Sequence, residues 1–136
     1  MRAMLKVRLG KEIVLRIENE VGVLDEIART VAEKGVDIVA TCAWVEGPVA
    51  VVHLVTDDNL RVVEALRSKN FDPRESNAVM AEVPHKPGML RHVTERLARG
   101  SVDIHHLYAT TTSEQGESLV VLATANNDHA VVLLNT

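Results

Sequence analysis

Two tripeptides constrain the architecture of this chain because they recur at one spacing. Gly22-Val23-Leu24 and Gly88-Met89-Leu90 each open an amphipathic segment, and their glycines stand 88 minus 22, or 66, positions apart. Val36-Asp37-Ile38 returns as Val102-Asp103-Ile104 at the same offset of 66. Two anchors in one register mark an internal duplication. Leu54-Val55-Thr56 corresponds to Leu122-Ala123-Thr124 at an offset of 68, so the second copy has gained two residues in between. The gain falls where Glu46-Gly47-Pro48 gives way to the longer Ser113-Glu114-Gln115-Gly116-Glu117, a turn that tolerates insertion. A chain of 136 residues then divides into two small domains, 1–77 with an N-terminal extension over 1–11, and 78–136.

Each copy carries the same order of periodicities. Ile13, Leu15 and Ile17 alternate with Val14, Arg16 and Glu18, the period of a strand with one strongly apolar face. Leu24, Ile27, Ala28 and Val31 then follow helical spacing, with Asp25, Glu26, Arg29 and Glu33 on the other side and Gly35 as terminator. Val36 to Val45 and Val49 to Val55 bracket Glu46-Gly47-Pro48 as a hairpin. A second helix follows, capped by Asp57 or Asp58 and buried through Leu60, Val63 and Leu66, and Phe71 to Asn77 supplies a last short strand. The order is βαββαβ.

The second copy repeats it with Val79 to Val83 as strand, Leu90, Val93 and Leu97 as helical face, and Val102 to Thr112 with Ser118 to Ala125 as hairpin. Asp128 to Leu134 supplies a short helix, and no counterpart of the Phe71 strand follows it before Thr136. The second module therefore lacks its last strand. Leu5, Val7 and Leu9 alternate ahead of Gly10-Lys11, which reads either as a hairpin turn or as the start of one long strand running on to Ile17. Split βαβ units in this order give an α+β, ferredoxin-like module, an antiparallel sheet with its helices on one face.

Composition excludes several functions. A net charge of -4 and an aromatic content of 2% argue against a nucleic-acid surface, which is basic and often carries aromatic platforms. Lys6, Arg8 and Lys11 interrupt the N-terminal segment, so it makes no signal peptide, and no apolar run is long enough to span a membrane. Cys42, the only cysteine, suits a reducing cytoplasm and reads as a buried, inert thiol in mid-strand. His105 and His106 are adjacent on a strand and point to opposite faces, so they do not grip one metal ion. His53, His85, His92 and His129 have no metal-binding or triad spacing. Trp44 and Tyr108 fall late on the two equivalent strands and read as core residues. No catalytic residues, metal ligands or cofactor are expected.

The loops carry a resemblance. Val21-Gly22-Val23-Leu24 and above all Pro87-Gly88-Met89-Leu90 resemble the Pro-Gly-x-Leu signature of ACT domains, and Gly35-Val36-Asp37-Ile38 resembles the stretch that opens their second strand. The likeness spans the chain from about Ile13 onward. It implies two tandem ACT modules, side by side, that bind a small amino acid or related zwitterion at their junction. It also implies transmission of the bound state to a separate enzyme partner or within a homodimer. Similarity to the serine-sensing ACT modules of phosphoglycerate dehydrogenases implies ligand contacts from Asn19, Val21, Gly22, Val23, Leu24 and Asp37 in the first copy. The second-copy contacts so implied are His85, Pro87, Gly88, Met89, Leu90 and Asp103. Val21 stands where the signature has proline and Glu20 adds a negative charge, which makes Pro87-Gly88 the better site. The competing expectation is a ligand-free assembly module that dimerises through open sheet edges.

Overall fold

The computed structural model describes residues 5–112 and 116–135. Residues 113–115 of the longer turn and 1–4 of the extension lie outside them. The alternation that begins at Leu5 becomes one strand, β1 (Lys6–Glu18), and the hairpin reading of Gly10-Lys11 is set aside. It is followed by α1 (Val23–Glu33), β2 (Ile38–Glu46), β3 (Val49–Thr56), α2 (Asn59–Ser68) and β4 (Arg74–Pro84). The second copy continues as α3 (Met89–Arg99), β5 (Ile104–Thr112), β6 (Glu117–Thr124) and α4 (Asn127–Leu134). This is the repeated α+β pattern expected from the duplication.

Residues 12–76 form one module. Its strand order is β2-β3-β1, with β1 antiparallel to β3 from Ile13↔Leu54 to Glu18↔Val49. Ile13, Leu15, Val52 and Leu54 face the helices and meet Ile27, Val31, Val62, Val63 and Leu66 in one core. Burying such side chains contributes about 1.5–3 kcal/mol each, so this aliphatic contact holds the helices to the sheet without any aromatic centrepiece. Asp58 caps α2 by accepting from the Arg61 amide at 3.2 Å. Leu60, expected inside, is 67% exposed, and Val62 and Ala65 take its place, because the apolar face of α2 is centred on Val62 and Leu66.

The other module is built from residues 5–11 and 77–135 of the described chain. Its order is β1-β4-β6-β5, and β6 lies antiparallel to both β4 and β5. In a βαββαβ sheet the fourth strand lies beside the first. Here β4 is the copy's first strand, and the place beside it is taken by the opening residues of β1. Leu5 and Val7 pack on a core of Val79, Ala81, Val83, Val93, Leu97, Val120, Leu122, Ala130 and Leu134. Asn135 Nδ2, one residue beyond α4, donates to Val7 O at 3.2 Å. Among the described residues no strand follows α4, and the opening residues of β1 hold the position beside β4.

The expected strands Phe71 to Asn77 and Val79 to Val83 are one element, β4, so a boundary between 77 and 78 falls within a strand. Strand structure starts only at Arg74, after Pro73, whose nitrogen cannot donate to a ladder. Phe71 instead packs part-buried on the first core.

Candidate functional site

Gly22 and Gly88 are the N-caps of α1 and α3, with φ 91, ψ -3 and φ 88, ψ -5. Both are left-handed, a conformation that costs an ordinary residue about 1–2 kcal/mol and glycine nothing. Neither helix has a side-chain cap. The first intrahelical bonds run from Glu26 N to Gly22 O at 3.0 Å and from His92 N to Gly88 O at 2.9 Å. The amides of Leu24 and Asp25, and of Leu90 and Arg91, therefore lie in uncapped first turns, the positions at which a helix receives a carboxylate.

A second element closes each loop against its own hairpin. Asn19 N donates to Pro48 O at 2.8 Å in the first module, and His85 N donates to Gly116 O in the second. Pro48 in the turn between β2 and β3, and Gly116 just before β6, are thereby held beside the glycine loops. Two cavities result. The first, of about 360 Å³, is lined by Asn19, Glu20, Gly22, Val23, Leu24, Asp25 and Trp44 and floored by Ala43, Val45, Ala50 and Val52. The second, of about 520 Å³, is lined by His85, Lys86, Gly88, Met89 and Leu90 over Ala109, Thr110, Ser118 and Val120. Both volumes fall in the range of small-molecule sites.

Several expected residues come together here: Asn19, Gly22, Val23 and Leu24 in one cavity, and His85, Gly88, Met89 and Leu90 in the other. Val21 and Pro87 sit at the exposed tips of the loops and line neither cavity. Asp37 and Asp103 are not brought in. Asp37 precedes β2 at the far end of its module, where its amide donates to Asp57 Oδ1 at 3.1 Å and its carbonyl accepts from Asp57 N. Asp103 takes the equivalent place, its carbonyl accepting from Ala125 N at 2.9 Å and its carboxylate 3.9 Å from His105 Nε2.

Leu24 and Leu90 were expected in the cores and are 49% and 53% exposed. Thr30 is buried in α1 in place of Ala28, its Oγ1 donating to Glu26 O at 2.8 Å, and Met89 is buried in α3. The two leucines are the residues that give the cavity mouths their apolar wall. A helical wheel places them beside the core, but they stand in the first turn of α1 and α3, at the mouths of the cavities.

Trp44 was also missed as a lining residue. It is 37% exposed, with its indole N–H donating to Glu46 Oε1 at 2.8 Å. Cross-strand pairing makes Thr110 its counterpart, since Trp44 faces Val51 and Thr110 faces Leu119. Tyr108 pairs with Val121 and is not equivalent, which explains its offset of 64. On the sheet face away from the helices, Trp44 stacks on His53 at 5.2 Å. His53 Nδ1 is 2.6 Å from Glu12 Oε1, with Glu12 fully buried. Cys42, paired across the strands with His53, is half-buried and not the buried thiol expected, because β2 lies at the sheet edge.

No family model matches the sequence, and no curated protein matches it. Solved structures do match. A protein of Bacteroides thetaiotaomicron superposes with a TM-score of 0.85 at 22% identity, covering 94% of this chain and 88% of the other. The ligand-free regulatory subunit of aspartate kinase from Thermus thermophilus gives 0.65 at 16% identity, over 94% and 93% of the two chains. The corresponding subunit from Thermus flavus gives 0.60 at 16%, over 97% and 94%. With the βαββα order repeated and a glycine loop at the matching place in each copy, the chain has the tandem ACT-type fold that such regulatory subunits adopt.

Proposed function

We propose that the protein is a non-catalytic regulatory chain that binds a small amino-acid-like effector at its glycine loops and passes the bound state to a partner. The observation that carries this reading is the duplicated cavity, in which an uncapped helix start, an αL glycine and an apolar strand floor recur in both modules. A zwitterion suits that arrangement, because its carboxylate can accept from first-turn amides while its side chain meets the leucine and valine walls. The regulatory subunits with the same fold give the reading its context. Signalling then requires only that the effector favour one conformation of the chain over another, whether the partner is a separate enzyme or a second copy in a homodimer. No helix among the described residues is long and apolar enough to cross a membrane, consistent with action in the cytoplasm.

The alternative, a ligand-free assembly module, loses one argument. The edge of β4 that was expected to lie open is covered by residues of β1, and the edge strands among the described residues are β2 and β5. Thermal shift against the twenty amino acids separates the two readings. An effector at about a hundred times its dissociation constant stabilises the folded chain by about 2.7 kcal/mol and raises the melting temperature accordingly. In Gly88→Val, whose new Cβ meets nothing within 4 Å, the cost is backbone strain of about 1–3 kcal/mol, and the response assigned to the second cavity disappears. A chain indifferent to all twenty amino acids is the assembly module.

A further inference from the structure

The two cavities share a shape and differ in charge. Residues 18–26 read Glu-Asn-Glu-Val-Gly-Val-Leu-Asp-Glu, and the equivalent residues 84–92 read Pro-His-Lys-Pro-Gly-Met-Leu-Arg-His. At the offset of 66, Glu20 becomes Lys86, Asp25 becomes Arg91 and Glu26 becomes His92, so three of the four acidic positions change to basic residues, and the fourth, Glu18, becomes Pro84. Among the lining residues the first cavity has Glu20 and Asp25 and no cation, whereas the second has Lys86 and no carboxylate. Asp25 is held by Arg29 at 2.6 Å, which leaves Glu20 as the uncompensated charge of the first loop.

The floor follows the same division. Ala50 of the first cavity corresponds to Ser118 of the second at the offset of 68. Ser118 is 8% exposed, and its Oγ lies 3.0 Å from His85 Nδ1. That bond orients the imidazole and leaves Nε2 as the ring's other polar atom, on the residue next to Lys86. Glu82 and Glu117 adjoin the lining residues Val83 and Ser118, but alternation along a strand turns them to the opposite face.

We propose that the second cavity is selective for an acidic amino acid, with one carboxylate at the start of α3 and the other at Lys86 and His85, and that the first cavity rejects it. This rests on the effector-binding reading above and adds the charge class of the ligand and the assignment of one cavity to it. A carboxylate beside Lys86 gains a charge-assisted bond. Beside Glu20 it meets repulsion and, over Val45 and Val52, an apolar wall that cannot replace lost water.

Isothermal titration calorimetry with L-aspartate, L-leucine and L-lysine tests it on the full chain and on two variants at exposed positions, Lys86→Glu and Glu20→Lys. L-Aspartate is expected to bind the wild type at one site and more tightly than the other two. Lys86→Glu is expected to weaken it by at least about tenfold, the size of one charge-assisted hydrogen bond, and Glu20→Lys to leave that site unchanged. Tighter binding of L-leucine or L-lysine, or aspartate binding indifferent to Lys86→Glu, overturns the selectivity and leaves the sensing function standing. If none of the three binds and the amino-acid panel is also silent, the sensing function fails and the selectivity with it.

Discussion

Replacing Glu12 with alanine is expected to destabilise the chain by about 3–5 kcal/mol in urea denaturation, more than most single substitutions cost. Glu12 is 0% exposed, and its Oε1 lies 2.6 Å from Nδ1 of His53, itself buried under the ring of Trp44. Removing the carboxylate takes from the buried imidazole its partner at 2.6 Å and opens a cavity beside it, and the two penalties add. Glu12→Gln keeps an amide oxygen that can accept from His53 and is expected to recover at least half of the loss. If both variants unfolded within about 0.5 kcal/mol of wild type, the range of ordinary surface changes, the pair would have no structural weight.

Removing residues 1–11 is expected to unfold the second module preferentially. Leu5 and Val7 pack against its core, Val7 O accepts from Asn135, and residues 6–11 occupy the strand position beside β4. Two half-buried aliphatic side chains together with the strand's hydrogen bonds amount to about 3 kcal/mol or more, a large part of the stability of so small a domain. Hydrogen exchange reads this by element. Protection should fall furthest in β4, α3 and β6 and least in β3 and α2. Equal loss in both modules, or none, would mean that the extension does not complete the second sheet.

These two sites were legible in the sequence to different degrees. The duplication, the hairpins and the glycine loops could be read directly, because local period and turn chemistry set them: Ile13, Leu15 and Ile17 alternate whatever surrounds them, and Gly22 and Gly88 stand at matching places. That an extra strand preceded Ile13 was also visible. Which sheet it joins was not, because strand partners some 70 residues apart leave no mark in either segment. Glu12 lies on the strand face that alternation assigns to water. Its burial depends on a tertiary partner, His53, whose imidazole supplies the hydrogen bond that lets a carboxylate leave solvent.

The binding loops show the same limit. Asn19, Gly22, His85 and Gly88 were legible because they lie within a few residues of each helix start. Trp44, Thr110 and Ser118 were not, because a hairpin brings them in from elsewhere in the chain. Asp37 and Asp103 precede the right strands at the wrong end, since β2 and β5 reach the loops with their last residues. Sequence motifs name the strand but not which of its ends meets the glycine.

The most direct test of effector binding at the loops is an amide chemical-shift titration of the full chain with whichever amino acid raises its melting temperature. Saturable shifts are expected, largest at Gly88, Met89, Leu90 and Arg91 or at their counterparts Gly22 to Asp25, with Ser118 or Trp44 moving in step. Shifts confined to other segments, such as the Asp37–Asp57 end of the first module, would contradict binding at the loops.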